Sequence, residues 1–337
     1  MARVTVTYSE THPVRVDRVR DGLEGHDVRA VELPPGNTSA TNDAFRAAAV
    51  ESDALIVRPG NVSGDLLASA DDLRIVAVHG SGYDHVDVAA ATDRGVVVTH
   101  SPEAVAPSVV EHALGATVAL LRDWPATMER TAAGEWNAAR TEVKEVGERT
   151  VGVVGLGTIG FRVARAVDAA FGADVVGYDP YVTGEREGDI YPRHHRSTVE
   201  DAGVELVGFH DLFERSDVVT LHVPLTDETR GMVDADALSR LDGYLVNTAR
   251  GEVVDESALL DALESGGVAG AALDVRAEEP PADDDPLAGR DDVLATPHLA
   301  GVSDGYLRRA ADRAAEKVGD VLAGERPAFV VNPAVFD

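Results

Sequence analysis

Short apolar runs alternate with alanine-rich amphipathic stretches along the first hundred residues. The runs predict strands at Val4–Thr7, Val28–Leu33, Ala54–Val57, Arg74–Ala77 and Val96–Thr99, with helices such as Asp43–Val50 and Val86–Thr92 between them. This βαβ rhythm argues for a parallel sheet covered by helices. A long apolar helix follows from about Pro107 to Arg130, with a break expected near Pro125. A second series opens at Thr150–Val154 and continues with strands at Asp174–Tyr178, Asp217–Leu221, Tyr244–Asn247, Val268–Ala272 and Asp292–Ala295. The polar stretch Thr183–Phe209 exceeds the usual connection length and reads as a loop insertion between the second and third strands of this series. A final amphipathic helix runs from about Asp304 to Leu322, capped by Ser303 or Asp304. Neither a tandem repeat nor a low-complexity tract is visible.

The 337 residues are enough for two domains. No apolar run approaches the ~20 residues of a membrane span. The N-terminus enters a strand pattern without an apolar leader, so a cytoplasmic protein with no membrane partner is expected. Cysteine is absent, which excludes disulfides, thiolate catalysis and zinc–sulfur sites. His100, His112, His194 and His210 show no metal-ligand spacing, so no metal is expected and they read as surface or packing residues.

Charge changes the picture further. There are 59 Asp and Glu against 30 Lys and Arg, a net charge of −29. Such a field repels nucleic acid. Lys144 and Lys317 are the lysines; the remaining basic residues are arginine. This composition resembles that of proteins from salt-loving archaea. At ~1 M salt the Debye length falls to about 3 Å, which screens the self-repulsion.

The strand Thr150–Val154 runs straight into Gly155-Leu156-Gly157-Thr158-Ile159-Gly160, and a helical pattern follows to Phe171. Strand, G-x-G-x-x-G and helix in that order form a dinucleotide fingerprint. The helix N-terminus offers N–H groups to a pyrophosphate. Asp179 ends the next strand, about 20 residues on, where an acidic side chain accepts from ribose hydroxyls. A carboxylate there repels a 2′-phosphate and favours NAD over NADP. The cluster Arg193-His194-His195-Arg196 keeps NADP as the alternative.

Three motifs directly follow later strands of the same series: Asn247-Thr248-Ala249-Arg250-Gly251, Leu273-Asp274-Val275 through Glu279-Pro280, and Thr296-Pro297-His298. Ligands of open α/β sheets bind beyond the carboxyl ends of the strands. Arg250 presents a planar fork suited to a carboxylate or keto oxygen. His298 can exchange a hydroxyl proton near neutral pH. Glu279 beside it would orient the ring and favour its protonated form.

On these motifs the sequence resembles the NAD-dependent D-2-hydroxyacid dehydrogenases over nearly its whole length. The resemblance implies two Rossmann-like, doubly wound α/β lobes with the active site in the cleft. The NAD-binding lobe (104–301) would be inserted in a discontinuous substrate lobe (1–103 and 302–337), and Trp124–Trp136 would belong to a homodimer contact. It implies Arg250, Glu279 and His298 as the catalytic set. Cofactor contacts would come from Gly155, Gly157, Thr158, Ile159, Gly160, Asp179, His222, Val223, Pro224, Thr226, Thr248, Ala249, Asp274 and Gly301. Substrate contacts would come from Arg58, His79, Ser81, Gly82, Arg250 and His298, with loop N–H groups at Ser81 and Gly82 holding the substrate carboxylate. The implied reaction moves a hydride between NAD(H) and a small D-2-hydroxy or 2-keto acid. Candidates are 3-phosphoglycerate, hydroxypyruvate and glyoxylate. Family members acting on phosphoglycerate commonly carry an arginine where this chain has Val78-His79. An NAD-sensing corepressor and a formate- or phosphite-type dehydrogenase are the alternative readings.

Overall fold

The computed structural model describes residues 1–34, 43–137, 142–182 and 194–337. The chain forms two compact units. The first comprises Met1–Val105 and Val302–Asp337; the second comprises the described residues between Ala106 and Gly301.

Among the described residues the first unit holds five strands: β1 (Arg3–Tyr8), β2 (Asp27–Glu32), β3 (Ala54–Val57), β4 (Ile75–Val78) and β5 (Val97–Thr99). They pair in parallel in the order β2-β1-β3-β4-β5. The central strands read ALIV and IVAV and are buried throughout, as strands covered on both faces must be. Phe45, Leu66 and Leu67 belong to one core, while Ala311, Ala314, Ala315 and Val318 of the helix Asp304–Ala323 belong to the other. That helix starts at Ser303, whose Oγ accepts the Tyr306 N–H at 3.0 Å, and stops at Gly324 with φ 85°.

The second unit is a seven-stranded parallel sheet. Its strands are β6 (Thr150–Val154), β7 (Asp174–Tyr178), β8 (Val204–Leu206), β9 (Val218–Leu221), β10 (Tyr244–Asn247), β11 (Gly270–Leu273) and β12 (Val293–Ala295), in the order β12-β11-β10-β9-β6-β7-β8. Strand order reverses between β6 and β9, which makes a topological switch point. The register aligns the strand ends: Val154 faces both Tyr178 and Leu221, Leu221 faces Asn247, Asn247 faces Leu273, and Leu273 faces Ala295. The residues that follow each strand therefore line up along one edge.

Three expectations need correction here. The stretch 183–209 is not all loop: residues 183–193 lie outside the described residues, but Arg196–Glu200 is helical and β8 is the edge strand of the sheet. Val218–Leu221 is therefore the fourth strand of its series. A three-residue edge strand with an exposed central Glu205 carries too little apolar pattern to be read from sequence. The apolar helix starts at Pro102 instead of Pro107 and ends at Leu121; Asp123, at φ 48°, separates it from Trp124–Ala132. By length and composition Pro102–Leu121 does meet the requirement for a membrane span, contrary to the expectation above. In the structure 61% of its most apolar 18-residue window is buried, as in the core helix of a globular protein.

Candidate active site

The fingerprint glycines differ in what confines them. Gly155 has φ 87°, and a Cβ there would lie 2.7 Å from the His222 carbonyl oxygen. A Cβ on Gly160 would lie 1.8 Å from the Gly155 carbonyl oxygen. At Gly157 a Cβ would meet nothing within 4 Å, so this face of the loop is open to an incoming group. The helix Gly160–Phe171 begins at Ile159, next to Thr158, with no side-chain cap bond. Its first N–H groups form the kind of cradle a pyrophosphate fits.

Asp179 braces this loop. One carboxylate oxygen accepts the Leu156 N–H and the other the Tyr181 N–H, both at 2.8 Å. A cavity beside it is lined by Tyr178, Val182, Arg196, Leu206 and Val207. Arg196 also pairs with Glu200 at 3.1 Å, and the His194 ring packs 4.1 Å from Phe161. Arg193 lies outside the described residues.

The His222 ring bonds Thr220 Oγ1 at 3.0 Å, and burial pushes its pKa down to about 3. It is neutral at any working pH. Val223 packs against Gly155, while the Pro224 carbonyl and the Thr226 N–H are both tied to Thr229 Oγ1, at 2.6 and 2.8 Å. After β10, Asn247 Oδ1 accepts the Ala249 N–H at 3.0 Å. Thr248 Oγ1 is buried without a hydrogen-bond partner among the described residues, an unsatisfied group that a bound ligand would satisfy. These features together fit a dinucleotide.

Along the same edge, His298 Nδ1 donates to Glu279 Oε2 at 2.7 Å. The acceptor is a carboxylate, so the proton on this nitrogen fixes the ring's orientation. The second Glu279 oxygen accepts the Arg276 N–H at 3.0 Å. Partial burial pushes the Glu279 pKa up. The bond to His298, the charge of that ring, the Arg276 N–H and the charge of Arg250 outweigh it and hold Glu279 below the usual carboxylate range. Arg250 reaches this neighbourhood because Gly251 lies directly on the 276–277 backbone: a Cβ on Gly251 would stand 1.9 Å from the Arg276 carbonyl carbon. Arg250 Nη1 donates to the Ala249 carbonyl at 2.7 Å.

His298 occupies left-handed backbone space at φ 52°, unusual for a residue with a Cβ. Asp274 holds it there. The Asp274 carbonyl accepts the His298 N–H at 2.7 Å, and its carboxylate accepts Thr296 Oγ1, Leu299 N–H and Ala300 N–H at 2.7, 2.8 and 2.9 Å. The family resemblance implies a cofactor contact for Asp274; in the structure it is buried and bonded to the histidine loop, and Gly301 closes the second unit. His112, read from sequence as a surface or packing residue, stands 3.9 Å from the same carboxylate.

The remaining candidates belong to the first unit. Arg58 Nη1 donates to the Pro13 carbonyl at 2.7 Å, and its guanidinium lies 5.1 Å from the Tyr306 ring centroid. His79 is fully buried, with Nδ1 3.1 Å from the Tyr306 hydroxyl. Burial, reinforced by the Arg58 charge, lowers its pKa well below 6.5, so His79 is neutral and adds no positive charge. Ser81 and Gly82 lie in the turn after β4, where His100 Nδ1 bonds the Ser81 carbonyl at 2.7 Å. No sequence pattern singles out Lys317, which is buried and donates to the His100 carbonyl, Ser101 Oγ and Glu103 at 2.6, 3.0 and 2.8 Å.

Comparison with known proteins places this geometry. Residues 114–300 match the D-isomer specific 2-hydroxyacid dehydrogenase family, NAD binding domain. The D-3-phosphoglycerate dehydrogenase of Methanocaldococcus jannaschii is 38% identical over 326 residues, 96% of this chain. This chain belongs to the D-isomer-specific 2-hydroxyacid dehydrogenase family. It spans 58% of that relative's length. Among solved members, the D-lactate dehydrogenase of Aquifex aeolicus, complexed with NAD and lactic acid, matches with a TM-score of 0.78 and 26% identity over 96% of each chain. The NADPH-dependent glyoxylate/hydroxypyruvate reductase of Sinorhizobium meliloti, in complex with NADP and malonate, matches with a TM-score of 0.76 and 29% identity, covering 96% of this chain and 94% of that one.

Proposed function

We propose that this dehydrogenase-family chain interconverts a small D-2-hydroxy acid and its 2-keto acid with NAD(H). The observation that carries the reading is the 2.7 Å Glu279–His298 pair on the same strand-end edge as the glycine loop. When bound, the dinucleotide supplies or takes up the hydride. Nδ1 of His298 is committed to Glu279, so Nε2 exchanges the hydroxyl proton. Arg250 binds the substrate carboxylate or polarises its keto oxygen. Thr248, Ala249, Pro224 and Thr226 flank the cofactor, and the amides of Ser81 and Gly82 hold the substrate carboxylate.

The Asp179 carboxylate favours NAD. Arg196, lining the cavity beside it, supports NADP as a second reading. Residues 1–103 with 302–337 serve the substrate, and 104–301 serve the cofactor. A homodimer is supported by Trp124 and Met128, which are one helical turn apart and 48% and 68% exposed.

The substrate is 3-phosphoglycerate, hydroxypyruvate or glyoxylate, and one assay separates them. NADH oxidation is followed in ~2 M KCl, which screens the acidic surface, against phosphohydroxypyruvate, hydroxypyruvate, glyoxylate and pyruvate. Turnover with any of them supports the dehydrogenase reading, and preference for the phosphorylated acid would make Arg58 its principal cation. Silence with all four in a folded, NADH-binding protein would move the reading to another 2-keto acid or to the NAD-sensing one.

A further inference from the structure

The turn that carries Glu279 is held by an ion cluster outside the reacting groups. Arg276 Nε and Nη2 donate to the two oxygens of Glu256 at 2.9 and 3.1 Å, and Arg276 also forks onto Asp285 through Nη1 and Nη2. The side chains of Arg276 and Asp285 are 10% and 7% exposed, which places this cluster among the most enclosed ion pairs of the second unit. Glu256 opens the helix Glu256–Glu264, and Asp285 lies in the acidic tract after Glu279. One cation thus ties the turn to a helix on one side and to the returning chain on the other.

The backbone of the same turn completes the arrangement. The Ala277 N–H donates to Glu256 Oε1 at 2.9 Å, and the Arg276 N–H donates to Glu279 Oε1 at 3.0 Å. The other Glu279 oxygen holds His298. A displacement of Arg276 is therefore passed directly to the carboxylate that orients the histidine. We propose that Arg276, clamped by Glu256 and Asp285, is a positioning residue that fixes Glu279 and, through it, the proton-exchanging ring of His298. This rests on the dehydrogenase reading for its catalytic consequence, but not for its structural one.

The charged groups facing the His298–Glu279 pair are Arg250 and, behind the histidine loop, Asp274 with His112. The Arg276 side chain is bonded to Glu256 and Asp285 and its N–H to Glu279, so loosening the clamp acts on His298 through Glu279. A neighbouring carboxylate favours the charged imidazole. A loosened Glu279 therefore withdraws the hydrogen bond and the charge that hold the ring in place.

The test compares the wild type, Arg276→Met, Glu279→Gln and their double variant. Arg276→Met strands two enclosed carboxylates, so the triple variant Glu256→Gln, Arg276→Met, Asp285→Asn is measured beside it. Expected results for both clamp variants are an NADH Kd within about 2-fold of wild type and a kcat reduced about 10-fold, a fraction of the ~10²–10⁴-fold that a positioned acid–base contributes. The loss falls on kcat and leaves substrate KM nearly unchanged, as expected of a group that orients the reacting ring. In the Glu279→Gln background Arg276→Met adds little, because both act along one line. The NMR signal of the hydrogen-bonded His298 Nδ1–H reads the same loosening without turnover. Additive effects in the double variant, or an unchanged His298 Nδ1–H signal, overturn the clamp. An inactive wild type whose clamp variants still change that signal would instead overturn the dehydrogenase reading alone.

Discussion

Asp274 and His298 are joined through their backbones, the His298 N–H donating to the Asp274 carbonyl at 2.7 Å, while the Asp274 carboxylate takes the next two N–H groups of the loop. The left-handed φ of 52° at His298 is held by these bonds. Asp274→Ala removes three acceptor contacts but leaves the carbonyl. The expected outcome is a fall in kcat with a smaller change in substrate KM, because the ring is displaced more than any binding surface is lost. Steady-state kinetics check this, and an unchanged kcat would show that the carboxylate does not hold the loop.

His298→Ala should lower turnover by about 10²–10⁴-fold, the contribution of a positioned acid–base. NADH binding, followed by fluorescence titration, should stay nearly intact. Most of the activity surviving would remove His298 from the proton-transfer role.

The glycines give a sharper contrast. Gly160→Ala forces a Cβ to within 1.8 Å of a backbone oxygen, so it should lower the melting temperature. Gly157→Ala points into open space, so it should leave the melting temperature unchanged yet weaken NADH binding. Equal melting losses in both variants would mean that Gly157 is confined by the fold and not kept open for a ligand.

Acid stability should report on the clamp. The Arg276 bonds hold the Asp285 pKa below the ordinary aspartate value of 3.8. A depressed carboxylate contributes stability that is present above the unfolded value and is lost as pH falls through the folded one. Melting temperature should therefore drop steeply below about pH 4, and Asp285→Asn should flatten that drop while lowering stability at neutral pH. The same slope in both proteins would assign the acid transition to other carboxylates.

Salt should act in the opposite sense to its effect on a balanced surface. With a net charge of −29, repulsion within the chain is screened as the Debye length contracts from about 8 Å at 0.15 M to about 3 Å at 1 M. The melting temperature should rise with KCl across that range, and a flat dependence measured by scanning calorimetry would show that the acidic surface is electrostatically neutral in effect.

Legibility in the sequence followed local pattern. The runs ALIV, TVGVV and YLVN correspond to β3, β6 and β10, because buried parallel strands are continuous apolar stretches between turn residues. Arg250, Glu279 and His298 could be singled out because each follows a strand end, and the structure brings the last two into hydrogen-bond contact. β8 was hidden by its length and its exposed Glu205. The clamp was hidden for another reason: Glu256 and Asp285 look like ordinary acids in an acidic chain, and their bonds to Arg276 exist only once β10 and β11 lie side by side. Lys317 looked like one polar position of an amphipathic helix, and only the fold reveals that it is enclosed.

The first unit draws its sheet from the beginning of the chain and the helix Asp304–Ala323 from the end. Until that helix leaves the ribosome, Val4, Ile56 and Ala77 have no Ala311, Ala314 or Val318 to pack against. The second unit has no such debt, since its sheet is complete by Ala295. Synthesis therefore delivers a finished nucleotide-type fold before the first unit can complete its core, and the order of translation sets the order of assembly.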